Sequence, residues 1–187
     1  MPAMDRIDWS ILDEELAKHA CADDKERQDV RFIRDFLARH PADAHLRAQL
    51  LGHLTASGFV LDHARAHVLL LHHGRLNRWL QPGGHGEGET EPRLIARREV
   101  EEETGLRDLE PFPDARLLDV DVHRIPARPG EPAHDHLDLR YGFIAERDAQ
   151  ARISEESRAL KWVPLDALPS DADPSLRRAV AKLNKGR

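Results

Sequence analysis

Hydrophobic positions recur at helical spacing over the first fifty residues. Leu12 and Leu16 lie one turn apart behind Ser10, a residue suited to an N-cap. Val30, Ile33, Phe36 and Leu37 form an apolar stripe that His40-Pro41 ends, and Asp43 is placed to cap a third helix carrying Leu46 and Leu50. No catalytic pattern shows in this segment. It is expected to form a helical cap packed on the main domain, with a dimerisation arm as the second reading. From His53 the period shifts to that of strands. Residues 54–61 and 67–72 are short and apolar, separated by the turn-like Asp62-His63-Ala64-Arg65. Residues 74–77 predict another turn, and Trp79-Leu80 leads into a glycine-rich loop. Further on, residues 117–123 predict a strand. Residues 124–133, with Pro126, Pro129, Gly130 and Pro132, predict a loop, and residues 144–158 a polar loop. A short strand over 160–163 precedes Pro164. The last helix, over 174–183, carries Leu176, Val180 and Leu183, with Lys182 and Lys185 near its dipole-negative end.

The helix over 92–104 breaks the usual charge rule. Pro92 suits its first turn and Gly105 the residue just past its end. Yet Glu99, Glu101, Glu102 and Glu103 crowd the C-terminal turn, where the dipole is negative and each carboxylate costs up to about 1 kcal/mol. A helix selected for stability alone would avoid this. At about 100° per residue, Glu99, Glu102 and Glu103 share an arc of roughly 100°, while Glu101 points away. Ala96 and Val100 flank the arc and can pack inward, and Arg98 lies one turn from Glu102. Three converging carboxylates make a hard oxygen cage of the kind Mg²⁺ or Mn²⁺ accepts. The plainer alternative is a solvated acidic face.

Composition narrows the function classes. The 187 residues suffice for one domain with an appendage; 33% are charged and 5% aromatic, so the core is mostly aliphatic under a charged surface. A formal net charge of −6 argues against general nucleic-acid binding, and an acidic protein acting on phosphates needs cations to mediate. Cys21, the single cysteine, sits in a polar connector with nothing that marks an activated thiol, and it excludes an internal disulfide. No signal peptide or membrane-length apolar run is present, so a cytoplasmic location is the expectation.

The stretch from Gln81 to Leu106, QPGGHGEGETEPRLIARREVEEETGL, resembles the signature of the Nudix hydrolases. That signature runs from a glycine through five residues to a glutamate. Seven residues later come Arg-Glu-aliphatic-x-Glu-Glu-x-Gly-aliphatic. Arg98-Glu99-Val100, Glu102-Glu103 and Gly105-Leu106 match the second half in full. The first half departs from it. Counting back from Arg98 reaches Gly84 and puts Thr90 at the glutamate position, whereas counting from Gly83 puts Glu89 there with one residue too many. Glu89 and Glu91 flank Thr90 and can supply a carboxylate from next door.

The resemblance implies an α/β fold: a Nudix-type α/β/α sandwich around a mixed β-sheet over residues 52–187, with an N-terminal helical extension over 1–51. It also implies Mg²⁺ (or Mn²⁺) held by Glu99, Glu102 and Glu103 with the Gly83 carbonyl. Arg98 would orient that cage, one carboxylate would act as general base, and Glu155 or Glu156 from a later loop would add a metal contact. The implied reaction is hydrolysis of a phosphoanhydride in a nucleoside diphosphate linked to another group. Nucleotide sugars or ADP-ribose are favoured, and a dimer would suit the extension; a nucleoside triphosphate or a capped RNA end is a further candidate. Two other classes compete. An isoprenyl diphosphate isomerase shares the fold but wants a pocket cysteine, and Cys21 lies far upstream. A non-hydrolytic nucleotide-sensing module is favoured by Thr90 and opposed by the intact Arg98–Glu103 run.

The run His134-Asp-His-Leu-Asp-Leu-Arg-Tyr141 is the second informative stretch. With a period of two, His134, His136, Asp138 and Arg140 share one face, and Leu137, Leu139 and Tyr141 the other. The polar face has three readings. It can line the substrate pocket, with His123, His134 and His136 around the substrate and Arg140 gripping a phosphate or carboxylate by bidentate bonds. It can be an ordinary solvated face. It can hold a separate Zn²⁺ through His134, His136 and His123. His72 and His73, adjacent on a strand, face opposite ways and are expected to be surface residues.

Overall fold

The computed structural model describes residues 6–146, 151 and 157–185. Two helices open the chain, α1 (Ser10–Lys18) and α2 (Asp24–Arg39). Strands β1 (Gly52–Asp62), β2 (His67–His73), β3 (Arg78–Leu80) and β4 (Gly83–His85) follow, and then helix α3 (Pro92–Thr104). The rest comprises β5 (Glu110–Ile125), β6 (His134–Ala145), β7 (Ser157–Pro164) and helix α4 (Pro174–Lys185).

The strands form one mixed sheet in the order β3-β2-β1-β6-β5, with β4 also paired to β1 and β7 to β2. Only the central β1–β6 pair is parallel among these, with Gly52 opposite Asp135 through Asp62 opposite Ala145. Alternation then gives the sheet two sides. Leu54, Ala56 and Val60 of β1 join Leu137 and Leu139 of β6 under α1, α2 and α3, where Leu16, Ile33, Ile95 and Val100 are buried. Phe59 and Leu61 pack on the opposite side with Leu176, Ala179, Val180 and Leu183 of α4. Helices thus cover both faces of a mixed sheet, as the resemblance implies. No helix among the described residues is long and apolar enough to cross a membrane.

The N-terminal helices do more than cover apolar surface. Strand β5 is a sheet edge, whose unpaired amides would otherwise invite another strand. Glu15 accepts from the Leu117 amide at 2.9 Å, Glu26 from Val120 at 3.1 Å and Asp29 from Val122 at 3.1 Å. Helix α2 itself starts on the expected chemistry, with Asp23 accepting from the Glu26 amide at 2.8 Å.

Three expectations need correction. The third helix is absent, and residues 41–48 form turns instead. The Asp43 carboxylate takes a hydrogen bond from Gln49 Nε2 at 2.7 Å, and the Ala44 carbonyl accepts from Leu54 N at 2.7 Å, tying the segment to β1. Leu50 is left exposed, so no apolar stripe rewards a helix there. The strand expected over 117–123 is longer, because β5 pairs with β6 from Glu110 onward with two register shifts. The polar loop expected over 144–158 is shorter, since β6 runs through Ala145 and β7 begins at Ser157.

Candidate active site

Helix α3 lies on β1 and β4, and one missing side chain sets how closely it approaches. A Cβ at Gly58 of β1 would fall 2.2 Å from Val100 Cγ2, so only glycine lets the helix sit this near the sheet. Ala96 and Val100 are fully buried there. The helix stops at Gly105, whose φ of +72° is left-handed and whose amide donates to the Glu101 carbonyl at 3.0 Å. Both ends match the sequence expectation. Glu101 indeed points away, held by Arg97 at 2.8 Å and by Arg107 at 3.2 Å.

Two of the remaining carboxylates, Glu99 and Glu103, face the glycine strand. Glu103 Oε2 accepts from the Gly83 amide at 2.9 Å. Glu99 lies against Gly84, where a Cβ would meet its carboxylate oxygen at 2.5 Å, so residue 84 must lack a side chain for Glu99 to occupy this place. Glu102 is exposed, with Arg98 Nε 3.8 Å away. Arg98 joins the two segments: its guanidinium donates to the His85 carbonyl on β4 and to Glu99 Oε1 at 2.7 Å. Burial pushes the Glu99 pKa up, Arg98 opposes this, and the neighbouring Glu102 and Glu87 carboxylates add to it. Glu89 takes no part in this group. Its carboxylate accepts from the Thr90 and Glu91 amides at 2.6 and 2.9 Å and so caps the approach to α3.

This donor set fits a hard divalent cation. All three side chains offer oxygens, Gly83 and Gly84 bring bare backbone beside them, and Arg98 is the cation that pairs with Glu99. The three carboxylates share a face without converging on a single point. Among the described residues, the groups of three ligand side chains within 4.8 Å of one another are His53–His85–His136 and His19–Cys21–Glu26. Glu99, Glu102 and Glu103 do not form such a group. The proposed later-loop ligands, Glu155 and Glu156, lie outside the described residues.

Residues 52–183, well over half of the chain, match the NUDIX domain family. The chain belongs to the Nudix family. By class it is a pyrophosphohydrolase. Among solved structures, a NUDIX-family hydrolase from Clostridium perfringens is 26% identical with a TM-score of 0.52, covering 71% of this chain and 97% of its own. A C. elegans Ap4A hydrolase in a binary complex is 18% identical with a TM-score of 0.54, covering 71% and 95%. A UDP-X diphosphatase is 19% identical with a TM-score of 0.53, and its likeness covers 95% of this chain and 90% of that one. No curated protein matches the sequence.

The polar face of β6 is not an ordinary solvated face, and its arginine is not free to grip a substrate. Arg140 is only 3% exposed, and its guanidinium is enclosed by carboxylates: Asp138 at 2.8 Å, Asp119 at 3.3 Å and Asp121 at 3.4 Å. Asp119 is shared in turn with Arg178 of α4 at 2.8 Å, and Asp138 accepts from Ser57 at 2.8 Å. The bidentate phosphate contact expected of Arg140 is therefore corrected, because its donors are committed to a buried ionic network. His123 reaches Asp121 at 3.1 Å from the surface, and His134 is buried with Nδ1 2.9 Å from the Pro132 carbonyl. His136 meets four other imidazoles, those of His53, His85, His123 and His134, at ring-centroid separations of 5.1, 5.0, 5.4 and 5.2 Å. The sequence reading missed His53 and His85. Neither lies in a recognisable spacing with His136, and only the β1–β6 register, which sets His53 opposite His136, brings them together.

Proposed function

We propose that this Nudix protein hydrolyses a phosphoanhydride bond in a nucleoside diphosphate linked to a second group, with nucleotide sugars or ADP-ribose as the favoured substrates. The observation that carries the proposal is the placement of Glu99 and Glu103 of α3 against the bare backbone of Gly83 and Gly84, with Glu102 beside them. Mg²⁺, or Mn²⁺, bound by these carboxylates and the Gly83 carbonyl would neutralise diphosphate charge and lower the pKa of water. Arg98 holds Glu99 and the His85 carbonyl, so it positions the acidic group and leaves the chemistry to others. One carboxylate accepts the proton of the attacking water, and the half-buried Glu99, whose pKa burial raises, is held in place by Arg98. The structural likeness to a UDP-X diphosphatase, which spans nearly the whole chain including α1 and α2, is in keeping with a substrate of this class.

The test is a panel of nucleotide sugars, ADP-ribose, nucleoside triphosphates, dinucleoside polyphosphates and capped RNA, each with and without Mg²⁺. The expected result is Mg²⁺-dependent conversion of a nucleoside diphosphate compound to a nucleoside monophosphate and the phosphorylated second group. Tight binding of the same compounds without turnover would contradict hydrolysis and favour a nucleotide sensor, the reading to which Thr90 and the amide-bound Glu89 lend support.

A further inference from the structure

We propose that His53, His85 and His136 form a binding site for a first-row transition-metal ion of the zinc class, distinct from the hard-cation site on α3. The three rings come from different strands of one sheet. His53 of β1 is directly opposite His136 of β6 in the parallel register, and His85 of β4 pairs with Thr55, two residues along β1 from His53. One ligand atom of each lies within 4.8 Å of the others. Zinc–nitrogen bonds of about 2.0–2.1 Å set tetrahedral ligands roughly 3.4 Å apart, so small ring rotations close the site.

Two of the three histidines have buried ring nitrogens without a hydrogen-bond partner. His53 is 1% exposed, and neither of its ring nitrogens makes a hydrogen bond of normal length and angle, the Gln49 backbone acting on it only weakly; His85 Nε2 is likewise buried and unpartnered. Buried polar atoms in native proteins are almost always satisfied, and an ion satisfies all of these together. Burial lowers the pKa of His53 to about 4 and of His136 to about 2, with the neighbouring histidines acting in the same direction, so both are neutral and carry lone pairs at neutral pH. Three neutral imidazoles are a donor set that zinc and its neighbours prefer and that Mg²⁺ does not. His134 stacks 5.0 Å from His53, and its Nδ1 faces the Pro132 carbonyl; Nδ1–H donation there would leave Nε2 as an acceptor beside the site. The other described trio of possible ligands, His19–Cys21–Glu26, already has a cation: Lys182 Nζ sits on both Glu26 and His19.

The position gives such an ion a structural role. Gly84 and His85 are adjacent on β4 and so face opposite sides, Gly84 toward Glu99 and His85 toward His53 and His136. A metal there would clamp β4 to the sheet from the side away from the carboxylates.

The experiment uses tag-free full-length protein, stripped with a chelator and titrated with Zn²⁺ against a chromophoric competitor in millimolar Mg²⁺. A parallel titration with Co²⁺ reads the visible d–d bands. The expected result is one equivalent of Zn²⁺ bound in the presence of Mg²⁺, with Co²⁺ bands of four- or five-coordinate intensity. His85→Gln and His136→Gln should each weaken Zn²⁺ binding by about 100-fold or more, while His63→Ala on the exposed turn after β1 keeps wild-type affinity. Far-UV circular dichroism verifies the fold of each variant. If His136→Gln does not fold, His85→Gln on the three-residue β4 decides the question. Absence of Zn²⁺ binding by the wild type, or wild-type affinity in either folded variant, overturns the proposal. Metal content is read without any substrate, so failure of the hydrolase reading and failure of this site are separate results.

Discussion

Glu102→Gln and Glu103→Gln are each expected to lower turnover at saturating Mg²⁺ by about 10²- to 10⁴-fold while leaving the fold intact. The amide keeps the shape of each side chain and, at position 103, an oxygen that can still accept from the Gly83 amide. What it removes is charge, for the cation and for proton transfer alike. Stability should move the other way. Both carboxylates sit in the last turn of α3 with no basic residue among them in that turn, so losing either relieves about 0.3–1 kcal/mol of unfavourable dipole interaction. A loss of activity joined to an unchanged or raised melting temperature is the signature of an acidic group kept for function. Near-wild-type turnover in both variants would remove these residues from the mechanism.

The second large effect concerns stability. Arg140→Met is expected to cost about 3–5 kcal/mol, because removing one member of a buried ionic group strands its partners. Those partners are Asp138, Asp119 and Asp121, and all three are buried. Arg178 and Lys182 still neutralise Asp119, but among the described residues Asp138 keeps the hydroxyls of Ser57 and Thr55. The loss is a large share of the roughly 5–15 kcal/mol by which domains are usually stable. Urea unfolding measures it. Arg140→Lys should recover only part, since a point charge cannot fork across three carboxylates. A variant that unfolds like the wild type but shows a raised KM would instead return Arg140 to the substrate.

The contrast between these two sites explains what could be read from the sequence. Helix α3 was legible at both ends because its signals are local: proline in the first turn, a left-handed glycine past the last, and carboxylates whose spacing alone puts them on one face. The alternation of Leu137, Leu139 and Tyr141 likewise gave the buried side of β6 correctly. Its other side could not be judged. Whether Asp138 and Arg140 meet solvent depends on Ser57 and Thr55, more than eighty residues earlier, and on Arg178 from α4. Asp43 misled for a related reason. A capping residue predicts a helix only where an apolar face rewards it, and Leu50 finds nothing to pack against. The histidine group was invisible because His53, His85 and His136 are assembled by strand register.

On the proposed function, the acidic face of α3 grips divalent ions against a diphosphate. Crystals soaked with Mn²⁺ and a methylene-bridged nucleoside diphosphate analogue test it most directly, through the anomalous signal of manganese. Anomalous peaks bonded to Glu99, Glu102 and Glu103 and bridging to the analogue's phosphates are the expected result. Manganese absent from α3, with those side chains turned apart while the analogue is bound, would contradict it.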